Sequence, residues 1–421
     1  MFSVFKLFSV FFVTFGLNAQ VISPNSTEVL FSYTAEFKTS DVIDPWAEAH
    51  QHHQYLFGVM HSPELTLESG ITAPIEGIGS PRSDVDITVQ HVEYDDYRAT
   101  ITYKINGRML LHNTVANSAI KSGTLSIPLP NAFDNIYVKK CTDSYYTGFD
   151  DYWYFWNPYR EGCEKLQNQP LSTKVSISIK PTRERKIEQT PRLDLLRGAN
   201  GNGDLFSMFI VHGFSDASSD PKDDARENVD QLREYLLNNE FTERVIRAGL
   251  QRPLSIYNKQ LVLPNGKIID VEIKSLLVNT DSESRSVTFP RFFKEAVETA
   301  DVIFYSGHSG LGGNLDLDLL IDRAGQGPFN FPKNKRQLFF FDSCSSYSYY
   351  LVPFSEQKTK ARIDVITNAL ASYFHTGGVV LSAFLDVLLN EEIEDIRWID
   401  ALNYIESGLD GESYLMSVGG I

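Results

Sequence analysis

Two side chains in the second half of this sequence have the chemistry to make and break a covalent bond together. His308 sits in DVIFYSGHSGLGG and Cys344 in RQLFFFDSCSSYSYY. A thiol attacks carbon only as its thiolate, and an adjacent imidazole can take the proton. Each residue follows an apolar run at the same offset: His308 is three residues past Tyr305, and Cys344 is three residues past Phe341. Runs 302–305 and 338–341 show no polar alternation, the pattern of strands buried on both faces of a parallel sheet. Two such strands, paired in similar register, put both side chains on one carboxyl edge, with neighbouring chains ~4.8 Å apart. In open α/β sheets that edge is where ligands bind. Amides of the glycine-rich loop 307–313, Ser309 and Gly310 among them, and of Cys344 itself can face a developing oxyanion. Small neighbours Ser343, Ser345 and Ser346 let a substrate backbone approach.

The elements that must hold this pair are read from the rest of the chain. Its 421 residues suffice for two or three domains. A net charge of −16 and a pI near 5.0 argue against nucleic-acid binding, which needs basic surface. The first residues, MFSVFKLFSVFFVTFGLNAQ, combine Lys6, an apolar stretch over 7–17 and a small residue, Ala19. This reads as a secretory signal peptide over residues 1–19. The apolar stretch is shorter than the ~20 residues of a membrane span, and no later stretch is long enough. The expected location is periplasmic, cell-surface or secreted, with no membrane span in the mature chain. Export permits disulfides. Cys141 and Cys163 bracket an aromatic, Asp-rich loop, and pairing them would contribute roughly 3 kcal/mol. Cys344 is then the odd thiol, flagged as reactive; the bland reading is a small buried hydrophobe.

Residues 24–180 read as an all-β, sandwich-like domain. Segments 85–89, 99–105, 124–129 and 174–179 alternate, and turn chemistry at Asn106-Gly107, 121–123 and 128–131 separates them. A helix over 46–57 interrupts them. It carries AHQHHQYLFGVMH, in which His50 and His53 share a face and His61 follows. Zinc can use such spacing, but no fourth ligand is evident, and a packed histidine face is preferred. Residues 181–203 are charged, then Gly/Asn-rich, and read as a linker, with 183–186 as a basic run. Residues 204–421 alternate strands and helices. Strands are expected at 205–211, 254–263, 268–278, 302–305, 338–341 and 378–384. Helices are expected after an Asp220-Pro221 cap and at 289–300, 363–374 and up to about 405. Residues 315–321 alternate at period two, so no crossover helix is read there. The implied architecture is a mostly parallel sheet with helices on both faces.

An apolar strand ending in a Gly-His loop, then an apolar strand ending in Asp-x-Cys with small neighbours, resembles the caspase-like cysteine peptidases. The resemblance covers roughly residues 204–384 as an order of elements. It implies a caspase-like α/β domain, a Cys344 nucleophile with His308 as its acid/base, peptide or protein substrates, and no metal or organic cofactor. One position departs from the family: where it carries glycine directly after the histidine, this chain has Ser309, then Gly310. No residue carries over for the primary specificity pocket. Two other readings compete. In a lipase-like α/β-hydrolase, His212-Gly213 would be the oxyanion loop and Ser309 the nucleophile, with Asp386 and His375. But Leu311 stands where the nucleophile elbow G-x-S-x-G needs glycine. In the third reading the scaffold is a catalytically inactive interaction module, with the aromatic stretch 145–159 as a recognition loop.

Overall fold

The computed structural model describes residues 21–420, apart from 41, 43, 96–97, 134–135, 145, 147, 149–150, 183–202, 217–218, 248–253, 360–361 and 392–395. The signal-peptide reading and nearly all of the linker, with its basic run, lie outside the described residues.

The front half forms one sheet. Its strands are β1 (Ser26–Thr39), β2 (Gly79–Pro81), β3 (Asp86–Tyr94), β4 (Ala99–His112), β5 (Thr124–Pro130) and β6 (Ser172–Pro181). They run in the order β2-β4-β1-β6-β5, with β3 also on β4, and every pairing is antiparallel. The expected sandwich is therefore corrected to a single layer of six strands. Alternation gives each strand one apolar face, and the helix α1 (Pro45–Met60) packs on that face instead of a second sheet. Asp44 caps α1 by accepting from the Trp46 amide, and Pro45 opens its first turn. Gly58 lets the helix approach closely, since a Cβ there would lie 2.4 Å from the Trp153 carbonyl oxygen. Two expected turns are absent. β4 runs straight through Asn106-Gly107, and β5 through Pro128. The stretch 121–123 instead ends a helix, α2 (Asn113–Ser122), with Gly123 left-handed at φ 79°.

The second half builds an eight-stranded sheet. Its strands are β7 (Leu205–Gly213), β8 (Thr242–Arg247), β9 (Leu254–Val262), β10 (Ile268–Val278), β11 (Val302–Ser306), β12 (Gln337–Asp342), β13 (Ile363–Thr367) and β14 (Ser417–Gly419), in the order β14-β13-β12-β11-β7-β10-β9-β8. The five strands from β13 to β10 are parallel; β14 pairs antiparallel with β13, β9 with β10, and β8 with β9. Helices α3 (Asp224–Asn238), α4 (Thr288–Thr299), α5 (Leu317–Ala324), α6 (Gly377–Leu389) and α7 (Trp398–Ser407) cover it. Four expectations change. Helix α3 is capped by Asp223, three residues later than Asp220. The period-two stretch 315–321 contains the short helix α5. The expected helix at 363–374 is strand β13, and the expected strand at 378–384 is helix α6. β13 is buried throughout and α6 over eight of its 13 residues, and such short apolar runs look alike by periodicity alone.

Both faces of this sheet are buried, by different partners. Phe209, Val211, Ile303, Tyr305, Phe339 and Phe341 join an apolar cluster with α4 and with the front half, including Phe31, Tyr103 and Trp156. Met208, Ile210, Val302, Phe304, Leu338 and Phe340 turn the other way, onto α3, α6 and α7. One apolar cluster thus runs from the six-stranded sheet into the eight-stranded one. Polar contacts reinforce it: the Tyr347 hydroxyl donates to Glu28 at 2.9 Å, and Glu28 also faces Arg108 at 2.9 Å and Arg82 at 3.6 Å.

Candidate active site

β11 and β12 are parallel neighbours, with Tyr305 opposite Phe341 and Ser306 opposite Asp342. Both strands stop at the same edge, so His308 and Cys344 each sit two residues past the end of their strand. They line one cavity of about 560 Å³. His308 is exposed and Cys344 half-buried. The cavity has two walls. Tyr146, Phe155, Asp143 and Arg160 come from the front half, and Ser215, Asp216 and the stretch Ala371–His375 from the second.

The loop after β11 holds the imidazole firmly. The His308 carbonyl accepts from the Asn314 side-chain amide at 2.9 Å and from the Tyr305 hydroxyl at 2.6 Å. The Ser309 carbonyl accepts from the Tyr350 hydroxyl at 2.6 Å and from the Gly312 and Asn314 amides at 3.0 and 3.2 Å. Gly310 has φ 55°, and a Cβ there would lie 2.4 Å from Asn314 Oδ1, so this turn needs glycine. The ring of His308 meets Phe374 edge-on at 4.8 Å. Its Nε2 lies 2.7 Å from the Ser215 carbonyl oxygen. A carbonyl only accepts, so Nε2 carries a proton and Nδ1 holds the lone pair of the neutral ring.

The thiol is protonated at rest. Burial pushes the Cys344 pKa up, hydrogen bonding from Ser372 opposes it, and the nearby Asp342 carboxyl pushes it up again; the thiol itself donates to the Ser372 carbonyl, with Sγ at 3.5 Å. Asp342 is itself buried, and burial raises its carboxyl to about 7 against a bond from the Asn368 side chain at 2.9 Å. Directly after Cys344 the chain turns through Ser345, left-handed at φ 51°, into the helical turn Ser346–Tyr349. Of the aromatic run 347–350, Tyr347 and Tyr350 are fully buried, and their hydroxyls bond Glu28 and the Ser309 carbonyl.

The remaining sequence candidates fall elsewhere. Cys141 and Cys163 form a disulfide. His52 and His53 are buried, with Nδ1 atoms 2.8 Å from the Tyr103 and Tyr33 hydroxyls, and His50 stacks on Trp46. Among the described residues no group of His, Cys, Asp or Glu is arranged to hold a metal ion, and no helix is long and apolar enough to cross a membrane. Of the lipase constellation, His375 lines the cavity with His308 and Cys344, whereas Ser309 and Asp386 are not among its lining residues. Ser309 is buried and followed by a 3-10 stretch, Gly310–Leu315, broken by left-handed Leu311 and Gly312, rather than by an α-helix. Asp386 accepts from the Tyr235 and Tyr404 hydroxyls at 2.6 and 3.0 Å. His212 is buried. Two backbone acceptors, Ser215 and Ser372, carry no signal at the level of residue type. Tyr146 and Phe155, in the aromatic stretch that the Cys141–Cys163 disulfide brackets, supply part of the cavity wall.

No family model matches the chain, and no curated protein matches it. Among solved structures the chain is similar to the X-ray structure of a secreted C11 cysteine protease from Bacteroides thetaiotaomicron, iotapain. The two are 11% identical, over 48% of this chain and 61% of that one, with a TM-score of 0.27. The chain thus spans less than two thirds of that protein's length, and a likeness so distant leaves function to be argued from the residues themselves.

Proposed function

We propose that this protein is an exported cysteine peptidase of caspase-like type, in which Cys344 and His308 hydrolyse peptide bonds through an acyl-enzyme. The observation that carries this reading is that the two side chains line one open cavity at the shared edge of paired parallel strands. His308 Nδ1, the free nitrogen of the ring, accepts the thiol proton as Sγ attacks the scissile carbonyl carbon. The carbonyl oxygen becomes an oxyanion, which the amides of Cys344, Ser309 and Gly310 can stabilise. The oxyanion collapses, the imidazolium gives its proton to the departing amine, and the C–N bond breaks. Water, deprotonated by the same ring, then cleaves the thioester and restores the thiol. The Ser215 carbonyl serves as orienter, holding the Nε2 proton through both charge states. The disulfide fits an oxidising compartment.

Thiol labelling of the non-reduced protein tests this. Cys344 should react with iodoacetamide faster at pH 7 than its burial alone allows, and His308→Ala should slow that reaction by at least tenfold, in keeping with the 10²–10⁴ range of general-base assistance. A cysteine that reacts equally slowly with and without His308 leaves an inactive interaction module.

A further inference from the structure

We infer that Tyr154, from the disulfide-bounded segment of the front half, is a positioning residue for the Cys344 nucleophile. The inference rests on the dyad reading above. Its starting point is Ser345, the residue that turns the chain directly after the cysteine. Ser345 is buried and left-handed at φ 51° without being glycine, a conformation that persists only where the surroundings hold it. Two contacts from outside the turn hold it. Its amide donates to the Leu370 carbonyl at 3.0 Å, and its hydroxyl lies 2.9 Å from the Tyr154 hydroxyl. The first contact comes from the same half of the chain, just past β13. The second crosses from the front half.

Tyr154 is well placed for this duty. Its ring is buried, packed against Tyr146 at 4.7 Å and Trp153 at 5.5 Å. Burial drives its phenol far from ionisation, so the hydroxyl is a fixed neutral partner. The segment bearing it lies between Cys141 and Cys163, whose disulfide closes the loop. The same front half grips the turn further on: the Ser348 carbonyl accepts from the Ser83 amide at 3.1 Å and its hydroxyl at 2.6 Å. The turn that carries Cys344 is therefore held from both halves, and the Tyr154 hydroxyl is the front-half contact that falls nearest to Cys344 along the chain.

The experiment is alkylation of Cys344 by iodoacetamide across pH 5–10 in the full-length, disulfide-intact protein. It compares wild type, Tyr154→Phe, Ser345→Ala, the double variant and His308→Ala, with melting temperature measured alongside. Phenylalanine keeps the ring packing and removes only the hydroxyl. The expected result is about a tenfold slower reaction at pH 7 in Tyr154→Phe, because small misplacements of a reacting group carry such penalties. Its pH profile should move toward that of an unassisted thiol, Ser345→Ala should lose as much, and the double variant should lose no more than either single one. An unchanged rate and profile in Tyr154→Phe, while His308→Ala is slow, overturns this inference and leaves the dyad standing. A loss that merely follows the melting temperature, or losses that add in the double variant, also overturns it. Equal rates in wild type, Tyr154→Phe and His308→Ala overturn both.

Discussion

The two ends of the eight-stranded sheet are filled by opposite rules. At the amino ends of the parallel strands, charge is buried and matched. Lys335 lies 3.1 Å from Asp301 and Arg336 pairs with Asp364; Lys358, whose pKa burial and the neighbouring cations lower to about 7, donates instead to the neutral Gln337 side chain at 2.8 Å. Asp301 also accepts from the Ser207 amide at 2.8 Å. At the carboxyl ends, an imidazole keeps one nitrogen unspent and a thiol meets a cavity. Groups consumed by one another stabilise; groups left with a free valence and an approach can react. The same strands end in both, so the difference lies in what the loops bring to each edge.

Four measurements break or sharpen that contrast, in falling order of effect. Asp301→Ala should destabilise by about 3–5 kcal/mol in urea unfolding, because it strands a buried lysine, while alkylation of Cys344 per folded molecule stays unchanged. A loss under about 1 kcal/mol would remove the structural role from the amino edge. Asp342→Asn comes next. Burial raises this carboxyl to about 7, so between its ordinary range near 4 and pH 7 the folded state holds a proton that the unfolded state has released. Stability from this group is full below about pH 4 and falls as pH rises through 7. The shift corresponds to roughly 4 kcal/mol at most. The variant should flatten that slope and be the more stable protein at pH 8; an unaltered slope refutes the assignment. Third, replacing Cys141 and Cys163 by serine should cost about 3 kcal/mol and slow Cys344 alkylation, since the loop forms a wall of the cavity. Thermal unfolding and labelling read the two effects separately. Last, His308→Ala should change stability by less than about 1 kcal/mol, because an exposed ring with one hydrogen bond holds little of the fold. A larger loss would make His308 structural, like the groups at the other edge.

How much of this was legible in the sequence follows from what each element is buried by. Strands β11 and β12 stood out because both faces are covered, so 302–305 and 338–341 carry no polar positions. Their equal offsets to His308 and Cys344 then pointed to one edge, and the observed register has that alignment. The same logic failed at 363–389. Helix α6 lies under α3 and α7 and is apolar nearly all round, which erases the helical period and imitates a strand. β13 precedes an irregular segment, and together their apolar residues imitate a helix. Asn106-Gly107 carried a turn signature, yet Gly107 lies inside β4, where a Cβ would come 2.8 Å from the Phe31 ring. There glycine answers to a neighbour's bulk rather than to a bend. The Ser215 and Ser372 carbonyls were invisible for a simpler reason: every residue has a carbonyl, and only the fold decides which one meets the ring or the thiol.

The apolar cluster that joins the two sheets has a consequence for how the molecule comes apart. Phe209, Ile303 and Phe341 face the same interior as Phe31 and Trp156, so neither half can melt without wetting the other. Calorimetry should record one endotherm spanning both halves rather than two. A shortened gene beginning near residue 204 should yield an aggregating product, not a portable catalyst.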